Sequence, residues 1–160
     1  MSSELIKTKI DGLLIKKLKL IPDERGFLME CMRNDDSFFS KFGQVYISGV
    51  YPGVVKGWHY HKEQTDNVVC VHGMIKLVVC DTRDVSCNNE EIVELFIGER
   101  NPCLVVIPKG CYHGWKGIEG NPALVMNCPD KVYNYQNPDE HRLEAHDNGL
   151  IDYKWGRSDG

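Results

Sequence analysis

Long uncharged apolar runs are missing from these 160 residues, so no stretch is suited to span a bilayer. Nor does an apolar core of the secretory kind follow Met1, and the expectation is a soluble, cytoplasmic protein. Positive charge is not in excess: 19 Lys and Arg stand against 23 Asp and Glu, a net charge of −4. That balance argues against duplex nucleic acid or an anionic membrane as partner, while leaving room for a local basic pocket. No CxxC pair occurs among Cys31, Cys70, Cys80, Cys87, Cys103, Cys111 and Cys128, and their number is odd. A zinc ribbon and a complete disulfide framework are therefore not indicated, and most of these residues are expected as reduced strand positions. No repeat with a period of roughly 20 to 50 residues is present. What remains is 42% hydrophobic and 26% charged, a composition that fits a single domain over residues 1–160.

Most of that domain reads as short strands. Asp11-Gly12 breaks the run from residue 4 to residue 20 into a hairpin. Phe27, Met29 and Cys31 alternate in a third strand. One short helix is expected over residues 35–42, where Asp35, Asp36 and Ser37 offer caps before two phenylalanines. Strands follow over 44–50, 54–58, 67–71, 74–81, 91–97, 103–107 and 123–128, with turns at Pro52-Gly53 and His72-Gly73 and a polar loop over 82–90. Residues 129–155, dense in Asp, Asn, Pro and Tyr, read as an irregular segment over one mouth of the fold. So many short strands with so little helix make an all-β sandwich or jelly-roll barrel.

His59 and His61 alternate, which on a strand puts both rings on one face. With Asp66 and His113 they form the spacing G-x5-H-x-H-x4-D-x6-G followed by P-x-G-x2-H. This resembles the two motifs of the cupin superfamily, with Asp66 in place of the usual Glu. The resemblance implies a cupin double-stranded β-helix whose motif histidines point into the barrel. Two chemistries stay open for the cluster. Either His59, His61, Asp66 and His113 hold one divalent transition metal ion, or a histidine acts as a base without metal.

Residues outside the motif point further. Asp23-Glu24-Arg25-Gly26-Phe27, then Met29-Glu30, then the segment from Gly53 to Tyr60, then Ile107-Pro108, Gly110 and His113-Gly114 are similar to the ordered landmarks of the dTDP-4-dehydrorhamnose 3,5-epimerase family. That resemblance runs from about residue 4 to residue 155. It implies a homodimeric, cofactor-independent epimerase of a nucleotide-diphosphate 4-keto-6-deoxy sugar, serving polysaccharide or glycoside synthesis. It also implies roles residue by residue. His59 stands at the family's base, with Asp147, or else Asp152, as the carboxylate behind it. Tyr133, with Tyr135 as the fallback, stands at the proton donor. Lys56 takes the place of an arginine that holds the enolate oxygen, and His113 adds a donor. Arg25 and Glu30, with Phe27 and Gln44, stand at substrate-binding positions, Arg25 reaching across from a partner subunit. His61 and Asp66 depart from the pattern, replacing a glutamine and lying near a lysine. The Trp58 and Trp115 rings beside the motif histidines suit stacking on a sugar or base.

Overall fold

The structure, a computed structural model, describes residues 5–83 and 91–157. Thirteen strands run β1 (Leu5–Lys7), β2 (Leu14–Lys17), β3 (Leu20–Asp23), β4 (Gly26–Met29), β5 (Tyr46–Val50), β6 (Val55–Tyr60), β7 (Asp66–His72), β8 (Met74–Asp81), β9 (Ile92–Gly98), β10 (Cys103–Ile107), β11 (Cys111–Gly117), β12 (Ala123–Asn127) and β13 (His141–Arg142). Six form one sheet in the order β1-β2-β10-β7-β12-β5, and five form a second in the order β13-β6-β11-β8-β9. Tight connections carry the chain from the larger sheet to the smaller at β5–β6, β7–β8 and β10–β11. The result is the expected all-β jelly-roll barrel.

Alternation along the strands builds the core. Val68 and Cys70 of β7, Val105 and Ile107 of β10, and Ile75, Leu77 and Val79 of β8 point inward and are almost fully buried. The opposite faces are covered as well. Val69, Leu104 and Val106 pack outward under Met29, Cys31, Met32 and Phe38. Trp58, Val78 and Cys80 pack outward under Ile151 and Trp155 of the C-terminal segment. That segment is irregular, as expected, but it divides its work: its first part borders the barrel mouth and its last part blankets the smaller sheet. Lys76 and Lys116 pin its end by donating to the carbonyls of Gly156 (3.1 Å) and Trp155 (2.9 Å).

Several expectations are corrected. The helix over 35–42 does not form. The Asp36 carboxylate takes hydrogen bonds from Lys16 Nζ (2.7 and 2.9 Å) and from the Arg33 N–H (2.8 Å), which folds the segment into a turn. The single third strand is instead a hairpin, β3 with β4, reversing at Glu24-Arg25 and belonging to neither main sheet. The strand β11, which carries His113, was not anticipated, because its glycines and lysine mask the alternation. Five described cysteines, Cys31, Cys70, Cys103, Cys111 and Cys128, are free thiols as expected, whereas Cys80 is disulfide-bonded. Most of the polar loop expected over 82–90 lies outside the described residues.

Candidate active site

A cavity of about 1250 Å³ opens at the end of the barrel where the inward rows turn polar. Each sheet supplies a wall. From the smaller sheet come Lys56 and His59 of β6, His61 just after it, and His113 and Trp115 of β11. Lys56 and His59 are three residues apart, a spacing that would send them to opposite faces of a regular strand. A bulge reconciles them: His59 pairs with His113 but Lys56 pairs with Trp115, one extra residue on β6. Gly57 and Gly114 permit it, since a Cβ on Gly57 would lie 2.9 Å from the Gly114 Cα. From the larger sheet come Tyr46 and Ser48 of β5, in the same inward row as the core residue Val50. Asp66 of β7 and Asn127 of β12 stand behind them, both buried. Lys56 Nζ spans the walls to donate to Ser48 Oγ at 2.9 Å.

His59 is the chemically versatile group. Burial, followed by the neighbouring His113, pulls its pKa down to about 4, so its ring is neutral and able to accept a proton near pH 7. Its ring centroid lies 5.9 Å from that of His113 and 5.8 Å from that of Trp115. The carboxylate beside it is Glu140, whose Oε1 lies 4.0 Å from His59 Nε2, takes a hydrogen bond from Arg142 Nε (2.9 Å) and forms an ion pair with Arg142 Nη2 (2.8 Å).

His61 and His113 play a different part. Both turn Nε2 toward Asp66 Oδ2, at 3.4 and 3.2 Å, and both turn Nδ1 toward a backbone carbonyl, of Asp139 (2.5 Å) and Cys111 (3.4 Å). The other oxygen of Asp66 accepts from Gln64 Nε2 and Asn127 Nδ2, each at 2.8 Å. Burial alone would raise the Asp66 pKa, but the hydrogen bond and charge of His113, with His61 and Asn127, bring it down to about 2. Ligand atoms of His61, Asp66 and His113 lie within 4.8 Å of one another, a donor set that fits a divalent transition ion. His59 stands outside that group, so the four-ligand set expected from the motif is not assembled.

The cavity thus collects Lys56, His59, His61, His113, Gln44, Tyr133, Tyr135 and Asp147 from the residues singled out by sequence. Asp147 sits at the rim in a left-handed turn (φ 50°), and Glu140, not Asp147 or the exposed Asp152, is the carboxylate at His59. Arg25, Phe27 and Glu30 are not among the lining residues. Arg25 is 84% exposed at the hairpin tip and pairs with Asp23 at 2.6 Å, and Phe27 is 62% exposed. Tyr46, Ser48, Gln64, Asn127, Glu140 and Arg142 escaped the sequence reading. Continuing the period of two from Gln44 along β5 would have found Tyr46 and Ser48. Glu140 carries no such signal, because contacts between segments distant in the chain, the two-residue β13 on β6 among them, bring it to His59.

Comparison with known proteins adds independent information. The sequence model of the dTDP-4-dehydrorhamnose 3,5-epimerase family matches residues 7–159. The chain is 37% identical over 146 residues to the spore coat polysaccharide biosynthesis protein SpsL of Bacillus subtilis, covering 91% of this chain and 96% of that one. It is 39% identical over 131 residues to the probable low-salt glycan biosynthesis epimerase Agl13 of Haloferax volcanii, covering 81% and 84%. Among solved structures, a dTDP sugar isomerase from Desulfovibrio desulfuricans superposes with a TM-score of 0.86 at 29% identity, covering 96% of this chain and 97% of that one.

Proposed function

Since the chain belongs to the dTDP-4-dehydrorhamnose 3,5-epimerase family, we propose that it epimerises a nucleotide-diphosphate 4-keto-6-deoxy sugar for polysaccharide or glycan synthesis. Its relatives SpsL and Agl13, named for such pathways, support that setting. The observation that carries the reading is His59: a neutral imidazole within a cavity bounded by two sheets, in a chain the family model covers from residue 7 to residue 159.

The chemistry follows from the residues. A ketone at C4 acidifies the hydrogens at C3 and C5. His59 takes one of these protons, the C–H electron pair moves into an enolate, and negative charge gathers on the C4 oxygen. Lys56 lines the same wall and supplies a cation for that oxygen, while the ring nitrogens of His113 are engaged by Asp66 and the Cys111 carbonyl. Inversion needs a proton returned from the other side, hence from the wall facing His59. Tyr133 borders that wall, its N–H held by Gln44 Oε1 at 3.3 Å, and Tyr46 projects from it. Asp147 at the rim serves substrate binding in this reading, and Glu140 takes the place beside the base.

We assign no cofactor to the reaction. Incubation with a nucleotide-linked 4-keto-6-deoxyhexose in D2O tests the reading: deuterium should enter at C3, C5 or both. No exchange with any such sugar would remove it. The hairpin of β3 and β4 suits a homodimer. Ile21, Phe27 and Leu28 lie 48–62% exposed on it, and in this reading Arg25 and Glu30, which do not line their own chain's cavity, serve that of a partner. A cytoplasmic location is part of the proposal; the five free thiols among the described residues agree with a reducing compartment, while the disulfide at Cys80 does not.

A further inference from the structure

One acceptor in the cavity is held in place and left unused. Gln64, between β6 and β7, lines the cavity and is 8% exposed. Its loop is fixed from the C-terminal segment, because the Asp139 carboxylate takes the N–H groups of Lys62 (2.9 Å), Glu63 (2.9 Å) and Gln64 itself (3.0 Å), and the Asp130 carboxylate takes that of Thr65 (2.9 Å). The side-chain amide is oriented too. Its Nε2 donates to Asp66 Oδ1 at 2.8 Å, beside the bond that the same oxygen takes from Asn127 Nδ2 at 2.8 Å. Turning the amide over would set two acceptor oxygens against each other, so Nε2 stays on Asp66 and Oε1 points away from it. Among the described residues Oε1 accepts no hydrogen bond, yet it is not sealed off as the Trp58 and Trp115 indole nitrogens are. It therefore opens on the cavity. Its neighbours offer nothing equivalent, since His61 and His113 each face acceptors with both ring nitrogens.

We propose that Gln64 Oε1 accepts a hydrogen bond from the C2 hydroxyl of the substrate sugar and so sets a preference for sugars that carry a donor at C2. The inference rests on the epimerase reading. A 4-keto-6-deoxyhexose joined to its nucleotide through C1 has hydroxyls left only at C2 and C3. C3 is one of the carbons that the ketone acidifies, and its hydroxyl changes position whenever that carbon inverts, whereas the C2 hydroxyl keeps its place from substrate through enolate to product. An acceptor held as firmly as Gln64 suits the group that does not move. With no donor in front of it, Oε1 would lose its water when the sugar binds and gain nothing in return, the condition under which a polar site rejects an analogue that lacks the partner group.

Paired sugars test this. The nucleotide-linked 4-keto-6-deoxyhexose that supports deuterium exchange is compared with its 2-deoxy analogue, in the parent and in Gln64→Met, and kcat/KM is measured for each. The parent should favour the 2-hydroxy sugar by roughly 10- to 100-fold, and Gln64→Met should shrink that preference by about fivefold or more, with the loss falling on the 2-hydroxy sugar. Comparing the two ratios cancels whatever the missing hydroxyl does to C–H acidity by itself. A residue that only props the cavity would slow both sugars alike. Equal kcat/KM for the two sugars in the parent would overturn the inference without any variant, as would an unchanged preference in folded Gln64→Met. If Gln64→Met does not fold, Gln64→Asn keeps an amide for Asp66 on a shorter side chain, and a full preference retained there would count against Gln64. A parent that exchanges no such sugar removes the epimerase reading and this inference together.

Discussion

The two ends of this barrel are built from the same strands and behave as different materials. Along β7 the inward row reads Asp66, Val68, Cys70; along β5, Tyr46, Ser48, Val50; along β12, Asn127, Val125, Ala123. One end is a close-packed apolar plug, and the other is a polar cavity whose buried Asp66 is satisfied on both oxygens. The contrast teaches that the plug holds the strands in register so that the polar end can stay open without collapsing. It also separates the residues whose loss should cost chemistry from those whose loss should cost stability.

Substitution at the polar end should break the reaction most severely. His59→Gln is expected to lower kcat by roughly 10²- to 10⁴-fold, the usual worth of a positioned base, with an unchanged melting profile at neutral pH, where the His59 ring is neutral in both folded and unfolded chains. Steady-state assays beside thermal denaturation check this, and a kcat within tenfold of the parent would mean that the base lies elsewhere. The apolar end should show the reverse. Leu77 is fully buried in the plug, and Leu77→Ala should cost about 2–5 kcal/mol in denaturant unfolding while the kcat of the folded fraction is retained.

Acid should sort the two polar clusters. His59 has a folded pKa of about 4 against an ordinary 6.5, so as the pH falls the unfolded chain takes up this proton first. Its contribution to stability is complete above pH 6.5 and is lost between 6.5 and 4, by up to about 3 kcal/mol at the per-unit value of a pKa shift. Asp66 is depressed from 3.8 to about 2, so its contribution is present above pH 3.8 and disappears below that, toward pH 2. Unfolding midpoints measured across pH should show two windows, of which His59→Gln removes only the upper one.

The smallest effect is expected farthest from the cavity, at the hairpin. Arg25→Ala should raise KM about tenfold through the loss of one charged contact, with kcat nearly unchanged. A fall in kcat with KM held constant would show that Arg25 does more than bind.

Sequence and structure divide this protein unevenly. The apolar runs over 74–81 and 103–107, rich in β-branched residues, coincide with the observed β8 and β10, because a short, nearly unbroken apolar run marks a strand buried on both faces. The turn at His72-Gly73 was legible for an equally local reason, a glycine at φ 71°. The supposed helix failed because Asp36, which looked like a cap, is claimed by Lys16 from a strand twenty residues earlier. No window of sequence reports such a pairing. The site follows the same rule. His59, His61, Asp66 and His113 announced themselves by spacing, but spacing could not say that three of them face one another while His59 stands apart beside Glu140.

By itself, then, the order of residues determined a β-barrel and the cluster of histidines and Asp66 gathered at one end of it, since both are written in short-range pattern. Only the tertiary structure decided which carboxylate accompanies His59, which histidines share Asp66, and that Tyr46 lines the cavity from the other sheet. These are contacts between strands distant in the chain, and they depend on register, a bulge and the direction of single hydrogen bonds. Local sequence carries no record of them.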